Sequence, residues 1–599
     1  MGQVDPVSAV MTNPLFDERV TMLAVETGRT EDDIRRDARE CLDEMTSQLS
    51  PRATALWDKF GRWLTRAYSV DVDTSALPHL RELSTNHSLV FLPNHRSYLD
   101  PLVLRRVLLG NGFPPNFILG GVNLALWPFS ELAQRSGIVF IRRSTRDDPV
   151  YPEMMRLLLG HMLRSHDNLE WYFEGGRTRT GKLRPPRMGV LRYLVDAHSA
   201  NDADAGDVII VPVSIVYDQQ HEVGAISAEE GGGDKRPESV GWLWSFARAQ
   251  SRGRGKAHVR FGEPLSLGDA INEARERAGS PDPTTVVPRV AFEIAHRIND
   301  ATPITPAALI AFSLLDNKGR ALTLPEIETI IDPLLVYVRR RSLPLTTDVD
   351  LARTDGLLKA LRTLVREGVV EEYAGGIEPV FSIAVDRQHE AGFYRNTLVH
   401  WFVTRAISEV AMLRASEVGS ADITATTWEG ALALRDLLKY EFFFPTKAEF
   451  SEQLRAEVEL AAPGWQDSKQ TAAGVHAAIE STGLLLAHRV IGPILEGYLV
   501  AADRLAACEP STPINRDALV TECLGVAHQR WLQRELHSPE SISKDLMSGA
   551  LRLADNRGLL SPGGDEVAQA RRAFADELRE AVRRAGSLRQ LVLDRMQEG

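Results

Sequence analysis

The hydrophobic pattern of this chain changes its period along the sequence, and that change limits the folds open to it. From about residue 75 to 270, short apolar runs rich in β-branched and aromatic residues alternate with stretches of helical spacing. The runs are Leu89–Leu92, Phe117–Leu119, Ile138–Ile141, Glu170–Phe173, Val208–Val213 and His258–Phe261, with helices predicted over Leu102–Leu109 and Tyr151–Leu163. Strands that alternate with helices build parallel pairs joined by crossovers, so the pattern predicts an α/β fold: a layered domain around a mostly parallel sheet. From about residue 300 onward the runs give way to long Ala/Leu/Arg/Glu-rich amphipathic segments, which predict a mostly helical region. Within it, a helix followed by Val369-Val370 and Val380–Ile383 predicts a hairpin or a small winged-helix-like element near 356–384. The expected divisions are a helical region over 1–74, the α/β domain over 75–300 and a helical region over 301–599, consistent with the domain number that 599 residues suggest.

Charge and composition exclude several function classes. A net charge of -12 argues against bulk nucleic-acid binding, which needs a basic surface, so only local clusters of cations are available to attract anions. Cys41, Cys508 and Cys523 are too few and too scattered for a disulfide framework or a structural zinc, and they fit a reducing compartment. The first twenty residues lack a basic start followed by an apolar run, so no secretory signal is expected. No stretch approaches the ~20 apolar residues that a bilayer requires, and any membrane contact is expected to be peripheral. The segment Ser50 to Tyr68 has Leu56, Trp57, Phe60, Leu64 and Tyr68 at helical spacing, with Arg52, Lys59, Arg62 and Arg66 among them. Such a helix can lie on an anionic membrane or cap its own domain core. Residues 225–238, rich in Gly and charge, read as a surface loop.

The chemistry sits in the stretch from Leu89 to Pro101, which reads as strand, loop and helix start, with Asp100-Pro101 as N-cap and N1. His95 precedes Asp100 by five residues, and no other histidine has an aspartate at that distance. On a straight helix the two side chains would stand about 140° apart, whereas a loop running into a helix can fold one back onto the other. An imidazole held by a carboxylate is the usual device for taking a proton from a hydroxyl. Downstream, Gly137 to Arg143 is a strand ending in Arg142 and Arg143, and Trp171 to Lys182 is a strand delivering Glu174, Gly175 and Arg177. If these strands run parallel, the base, the arginines and the carboxylate meet at the carboxyl edge of one sheet, where open α/β sheets bind ligands. Arginine suits phosphate because its planar fork donates two bonds, each worth roughly 1.5–3 kcal/mol to a charged group. Gly176 to Lys182 imitates a P-loop, but Leu183 replaces the Ser or Thr and Arg184-Pro185-Pro186 forbids the helix that should follow. Ser97 lies in no G-x-S-x-G elbow, and no H-E-x-x-H occurs, so neither a serine nucleophile nor a catalytic metal is expected.

In this order NHRSYLD, GIVFIRR, FEGGRTRTGK and VPVSIVY resemble the four acyltransferase blocks of the glycerol-3-phosphate acyltransferases, in particular the large membrane-associated bacterial enzyme. The likeness continues through GGVNLALWP, HVRFGEP, Phe393-Tyr394-Arg395-Asn396 and Phe442-Phe443-Phe444-Pro445, and so spans most of residues 55–599. It implies acyl transfer from acyl-CoA or acyl carrier protein to the sn-1 hydroxyl of glycerol 3-phosphate, without a further cofactor, at the cytoplasmic face of the cell membrane. Matched position by position, it implies His95 and Asp100 as the catalytic pair. Arg142, Arg143, Glu174, Gly175 and Arg177 become glycerol-phosphate binders, and Pro212 is linked with acyl fit or site shape. Thr178 stands where many members have Ser, and the region before the first block is shorter than in the longest members. A dihydroxyacetone-phosphate or lysophosphatidate acyltransferase, or a non-catalytic acyl-binding relative, is the alternative that the residues leave open.

Overall fold

The computed structural model describes all residues except 1–4, 48, 122–129, 143–147, 201–205, 221, 225, 227–247, 249–252, 254, 280–281, 316, 318, 347–349, 466–469 and 599. The chain forms two compact units: residues 1–178, 183–220 and 237–302 make the first, and residues 179–182, 221–236 and 303–599 the second. The helical N-terminal region therefore shares a unit with the sheet, and the short segment Arg179–Lys182 is counted with the C-terminal residues.

Among the described residues the sheet of the first unit has eight strands: β1 (Ser69–Val72), β2 (Ser88–Pro93), β3 (Phe117–Gly121), β4 (Ile138–Ile141), β5 (Leu169–Trp171), β6 (Val208–Tyr217), β7 (Lys256–Phe261) and β8 (Leu265–Ser266). Their order is β1-β7-β6-β2-β5-β3-β4, with β8 on β6. From β6 to β4 every neighbouring pair is parallel, and β7 and β8 run antiparallel to β6. Central position explains the composition. β2 and β6 are buried along their whole length, and a parallel strand covered on both faces needs an almost unbroken apolar run. β1 and β8 have no such run, and the sequence pattern missed both.

Helices α1 (Pro6–Met11), α2 (Pro14–Thr27) and α3 (Glu31–Met45) precede α4 (Pro51–Leu64). Of the apolar residues expected on α4, Trp57 packs toward Ile118, Ile138 and Phe140, and Phe60 and Leu64 join the core under β2 and β6. At roughly 1.5–3 kcal/mol for each large apolar side chain buried, these contacts seat the helix on its own domain. The helix stops at Leu64, and Tyr68, beyond it, is buried with its hydroxyl donating to the Gln219 carbonyl at 2.8 Å. Leu56 and Trp63 are left 55% and 41% exposed. Between the strands lie α5 (Leu77–Leu83), α6 (Asp100–Gly110), α7 (Ser130–Gln134), α8 (Val150–Arg164) and α9 (Met188–Ala200). α4 is tied to α6 by the buried Asp58–Arg105 ion pair at 2.6 Å.

The second unit is helical around one large apolar core. Its three-stranded antiparallel sheet joins Leu322–Thr323, Val370–Tyr373 and Val380–Ile383 in the order 370–373, 380–383, 322–323, so the expected hairpin gains a short third strand. Among the described residues no helix is long and apolar enough to cross a membrane. The expected loop at 225–238 and the GGVNLALWP segment fall almost wholly outside the described residues.

Candidate active site

Parallel order brings the carboxyl ends of β2, β4 and β5 to one edge of the sheet. The loop from Asn94 to Leu99 leaves β2 there. Asn94 extends the ladder with its side chain: Ile215 N–H donates to Oδ1 at 2.8 Å and Nδ2 donates to the Ile215 carbonyl at 3.3 Å. This fixes the residue before His95 to the rigid centre of the sheet.

Asp100 stands one place inside α6, with Leu99 at the N-cap, not at the cap that the sequence suggested. Its carboxylate turns back on the loop instead of capping its own helix. Oδ2 accepts the backbone N–H groups of Arg96 at 2.7 Å and Ser97 at 2.8 Å and faces Nδ1 of His95 at 3.1 Å. The Tyr217 hydroxyl, at the end of β6, donates to Oδ1 at 2.7 Å. Asp100 is fully buried, and a buried carboxylate persists only when such donors surround it. Because Asp100 accepts at every contact, the histidine proton belongs on Nδ1, and Nε2 keeps its lone pair. The Tyr172 ring lies against the imidazole, 4.4 Å between centroids.

The loop after β5 is laced to the histidine loop. Oε1 of Glu174 accepts the His95 N–H at 2.6 Å, and Oε2 accepts the Arg184 N–H at 2.8 Å. Thr178 N–H donates to the His95 carbonyl at 2.8 Å. Glu174, which the resemblance counts among the glycerol-phosphate binders, has both oxygens on backbone groups and is 2% exposed. Burial pushes its carboxyl up to about 7, against the pull of the two N–H donors and of Arg96 and Arg184. Gly175 has φ +69°, and a Cβ there would meet Arg187 Cγ at 2.5 Å, so both the turn and the close approach require glycine. Arg177 donates from Nη2 to the Tyr98 hydroxyl at 2.8 Å and stacks on that ring at 3.6 Å. Burial lowers the neighbouring Arg96 guanidinium to about 10.

Arg142 follows β4, but its guanidinium is engaged by two acids. Glu44 of α3 takes Nε at 3.0 Å and Nη2 at 2.6 Å, and Asp148 takes Nη1 at 2.7 Å, with the Tyr151 ring beneath at 4.8 Å. Two carboxylates around one guanidinium leave that spot net negative, and they hold its pKa above the ordinary range, Glu44 foremost. Arg143 lies outside the described residues. Pro212 is buried within β6 opposite Leu92, and its carbonyl accepts from the Gly262 N–H at 2.8 Å. Among the described residues no group of three or more His, Cys, Asp or Glu is arranged to hold a metal ion. Pattern reading missed Asn94, Tyr98, Tyr172, Tyr217, Arg184 and Glu44. The first four lie inside or beside recognised motifs, whereas nothing in the sequence links Glu44 to Arg142, 98 residues away.

Such a site can accept a proton at Nε2 and present cationic donors close by. Comparison with known proteins agrees in kind. The family described as Glycerol-3-phosphate acyltransferase C-terminal region matches residues 227–563, and the family described as Acyltransferase matches residues 76–216. Proteins of Mycobacterium bovis and Mycobacterium tuberculosis named acyltransferase plsB1, a name given there as provisional, are 42% identical over 583 residues, 96% of this chain and 92% of theirs. A solved LPA acyltransferase, PlsC from Thermotoga maritima, is 16% identical over 49% of this chain and 92% of its own, with a TM-score of 0.23, too low to bear on the argument. The chain is an acyltransferase and belongs to the glycerol-3-phosphate acyltransferase family.

Proposed function

We propose that this protein transfers a fatty acyl group from acyl-CoA or acyl carrier protein to the sn-1 hydroxyl of glycerol 3-phosphate, giving 1-acyl-sn-glycerol 3-phosphate. The observation that carries the reading is the His95–Asp100–Tyr217 relay on a loop whose backbone is bonded to the arginine-bearing loop of Glu174 and Arg177. Nε2 of His95 takes the hydroxyl proton as the oxygen attacks the thioester carbonyl, and Asp100 stabilises the imidazolium that forms. The C–O bond forms, the C–S bond breaks, and the proton passes from His95 to the departing thiolate. A thioester is already activated, so no acyl-enzyme is needed. Arg177, on the loop bonded to the histidine loop, is the cation assigned here to the acceptor's phosphate.

The same reading puts the protein on the cytoplasmic face of the cell membrane, docked peripherally. The support is α4, where exposed Leu56 and Trp63 lie among the exposed cations Arg52, Lys59 and Arg62, with Arg66 exposed two residues beyond the helix.

The test is thiol release from palmitoyl-CoA with glycerol 3-phosphate, dihydroxyacetone phosphate and lysophosphatidate offered side by side. Glycerol 3-phosphate is expected to have the highest kcat/KM. His95→Ala should lower it by about 10²–10⁴ while the protein stays folded. Preference for another acceptor, or full activity without His95, would overturn the reading.

A further inference from the structure

Of the arginines expected to bind phosphate, Arg142 is engaged by Glu44 and Asp148, and Arg143 lies outside the described residues. The turn that carries Arg177 holds another cation, which the mechanism above does not use. Arg187 donates its backbone N–H to the Phe173 carbonyl at 2.5 Å, which ties it just past the end of β5. Its side chain then crosses Gly175. A Cβ on that glycine would lie 2.5 Å from Cγ, 3.5 Å from Cβ and 3.4 Å from Nε of Arg187. Stem and Nε both lie against the turn whose Glu174 accepts the His95 N–H at 2.6 Å. All of these residues belong to the first unit.

The Arg187 side chain is exposed, and among the described residues no carboxylate, carbonyl or aromatic ring engages its guanidinium. Its position is one that stability disfavours. Arg187 stands directly before α9, and a helix start carries the positive end of the dipole, where a cation is repelled and an anion attracted. We propose that Arg187 is a second guanidinium for the phosphate of the acyl acceptor, acting beside Arg177. The inference rests on the reading of Arg177 as the phosphate's cation. A phosphate dianion offers three oxygens, and one planar fork takes only two of them, so a second arginine adds both charge and direction. Gly175, which the resemblance counts among the binders, then serves by admitting the Arg187 stem.

Full-length wild type, Arg187→Gln and Arg187→Lys are compared by calorimetric titration with glycerol 3-phosphate and by steady-state kinetics with palmitoyl-CoA. Arg187→Gln keeps the backbone bond to Phe173 and removes only the charge and the fork. It is expected to raise the Kd and KM for glycerol 3-phosphate about tenfold, with kcat and the KM for palmitoyl-CoA within about twofold and the melting midpoint unchanged. Arg187→Lys should recover part of the loss, because it restores the charge without the fork. A Kd for glycerol 3-phosphate that Arg187→Gln leaves unchanged overturns the proposal. So does a weaker Kd accompanied by a lower melting midpoint, which would make Arg187 a brace of the turn. If wild type binds glycerol 3-phosphate but does not acylate it, the functional reading fails, while the Kd comparison still decides the role of Arg187. If wild type does not bind it, both are overturned.

Discussion

At the scale of single residues, the site depends on who satisfies Asp100. Three N–H groups converge on Oδ2, but Oδ1 has one protein donor that reaches it from a different strand, Tyr217. Tyr217 is 2% exposed and its ring meets Tyr68 edge-on at 5.1 Å, so removing the hydroxyl leaves the packing intact. A hydrogen bond to a charged group contributes ~1.5–3 kcal/mol. Taking the low end, Tyr217→Phe should lower kcat about tenfold with the acceptor KM within about twofold, because the bond steadies the imidazolium of the transition state and not the bound acceptor. A raised acceptor KM with kcat unchanged would assign Tyr217 to binding. Glu174 shows the limit of reading roles from residue type. The resemblance counts it among the glycerol-phosphate binders, and in the fold its oxygens accept two backbone N–H groups, one of which joins its loop to the histidine loop.

At the scale of elements, the edge β1-β7-β6 holds a charge that the sequence did not advertise. His258 of β7 is fully buried, with Nδ1 2.9 Å from Asp71 of β1 and Nε2 2.9 Å from Asp218 after β6. Burial alone would lower its pKa, but hydrogen bonds and attraction to Asp218 and Asp71 outweigh burial and raise it above the ordinary 6.5. A histidine with a raised folded pKa stabilises the fold fully below its unfolded value, and the stabilisation is lost as pH rises through the folded value. The difference in urea midpoint between wild type and His258→Gln should therefore be largest at about pH 6 and shrink toward about pH 9. A difference that grows with pH would refute the paired imidazolium. Asp71, held down to about 2 by Arg260 and His258 against burial, stays ionised throughout that range.

At the scale of the whole molecule, charge is distributed against the net. The chain is -12 overall, yet α4 exposes three cations, Arg52, Lys59 and Arg62, around Leu56 and Trp63, and Arg66 is exposed just beyond its end. Each cation near an anionic surface contributes ~1 kcal/mol, and the contribution is screened within a Debye length. Co-sedimentation with vesicles containing anionic lipid should therefore fall as salt rises, and should drop severalfold when Leu56 and Trp63 are both changed to Ser. Binding that persists in neutral vesicles or in that variant would exclude α4 as the docking surface.

The sequence by itself determined six of the eight described strands of the sheet, the parallel run from β6 to β4 implied by alternating strands and helices, and the place of the histidine loop. Continuous apolar runs such as Val208–Val213 can be buried only in a covered central strand, and Asp-Pro starts a helix in almost any context. Local chemistry sufficed for those. Only the tertiary structure decided which partners each charge found: Glu44 on Arg142, the His95 N–H on Glu174, Tyr217 on Asp100, Glu441 on Lys182. These pairs lie 98, 79, 117 and 259 residues apart. No periodicity couples positions at such separations, because burial and hydrogen-bond satisfaction are settled by packing once the elements have met.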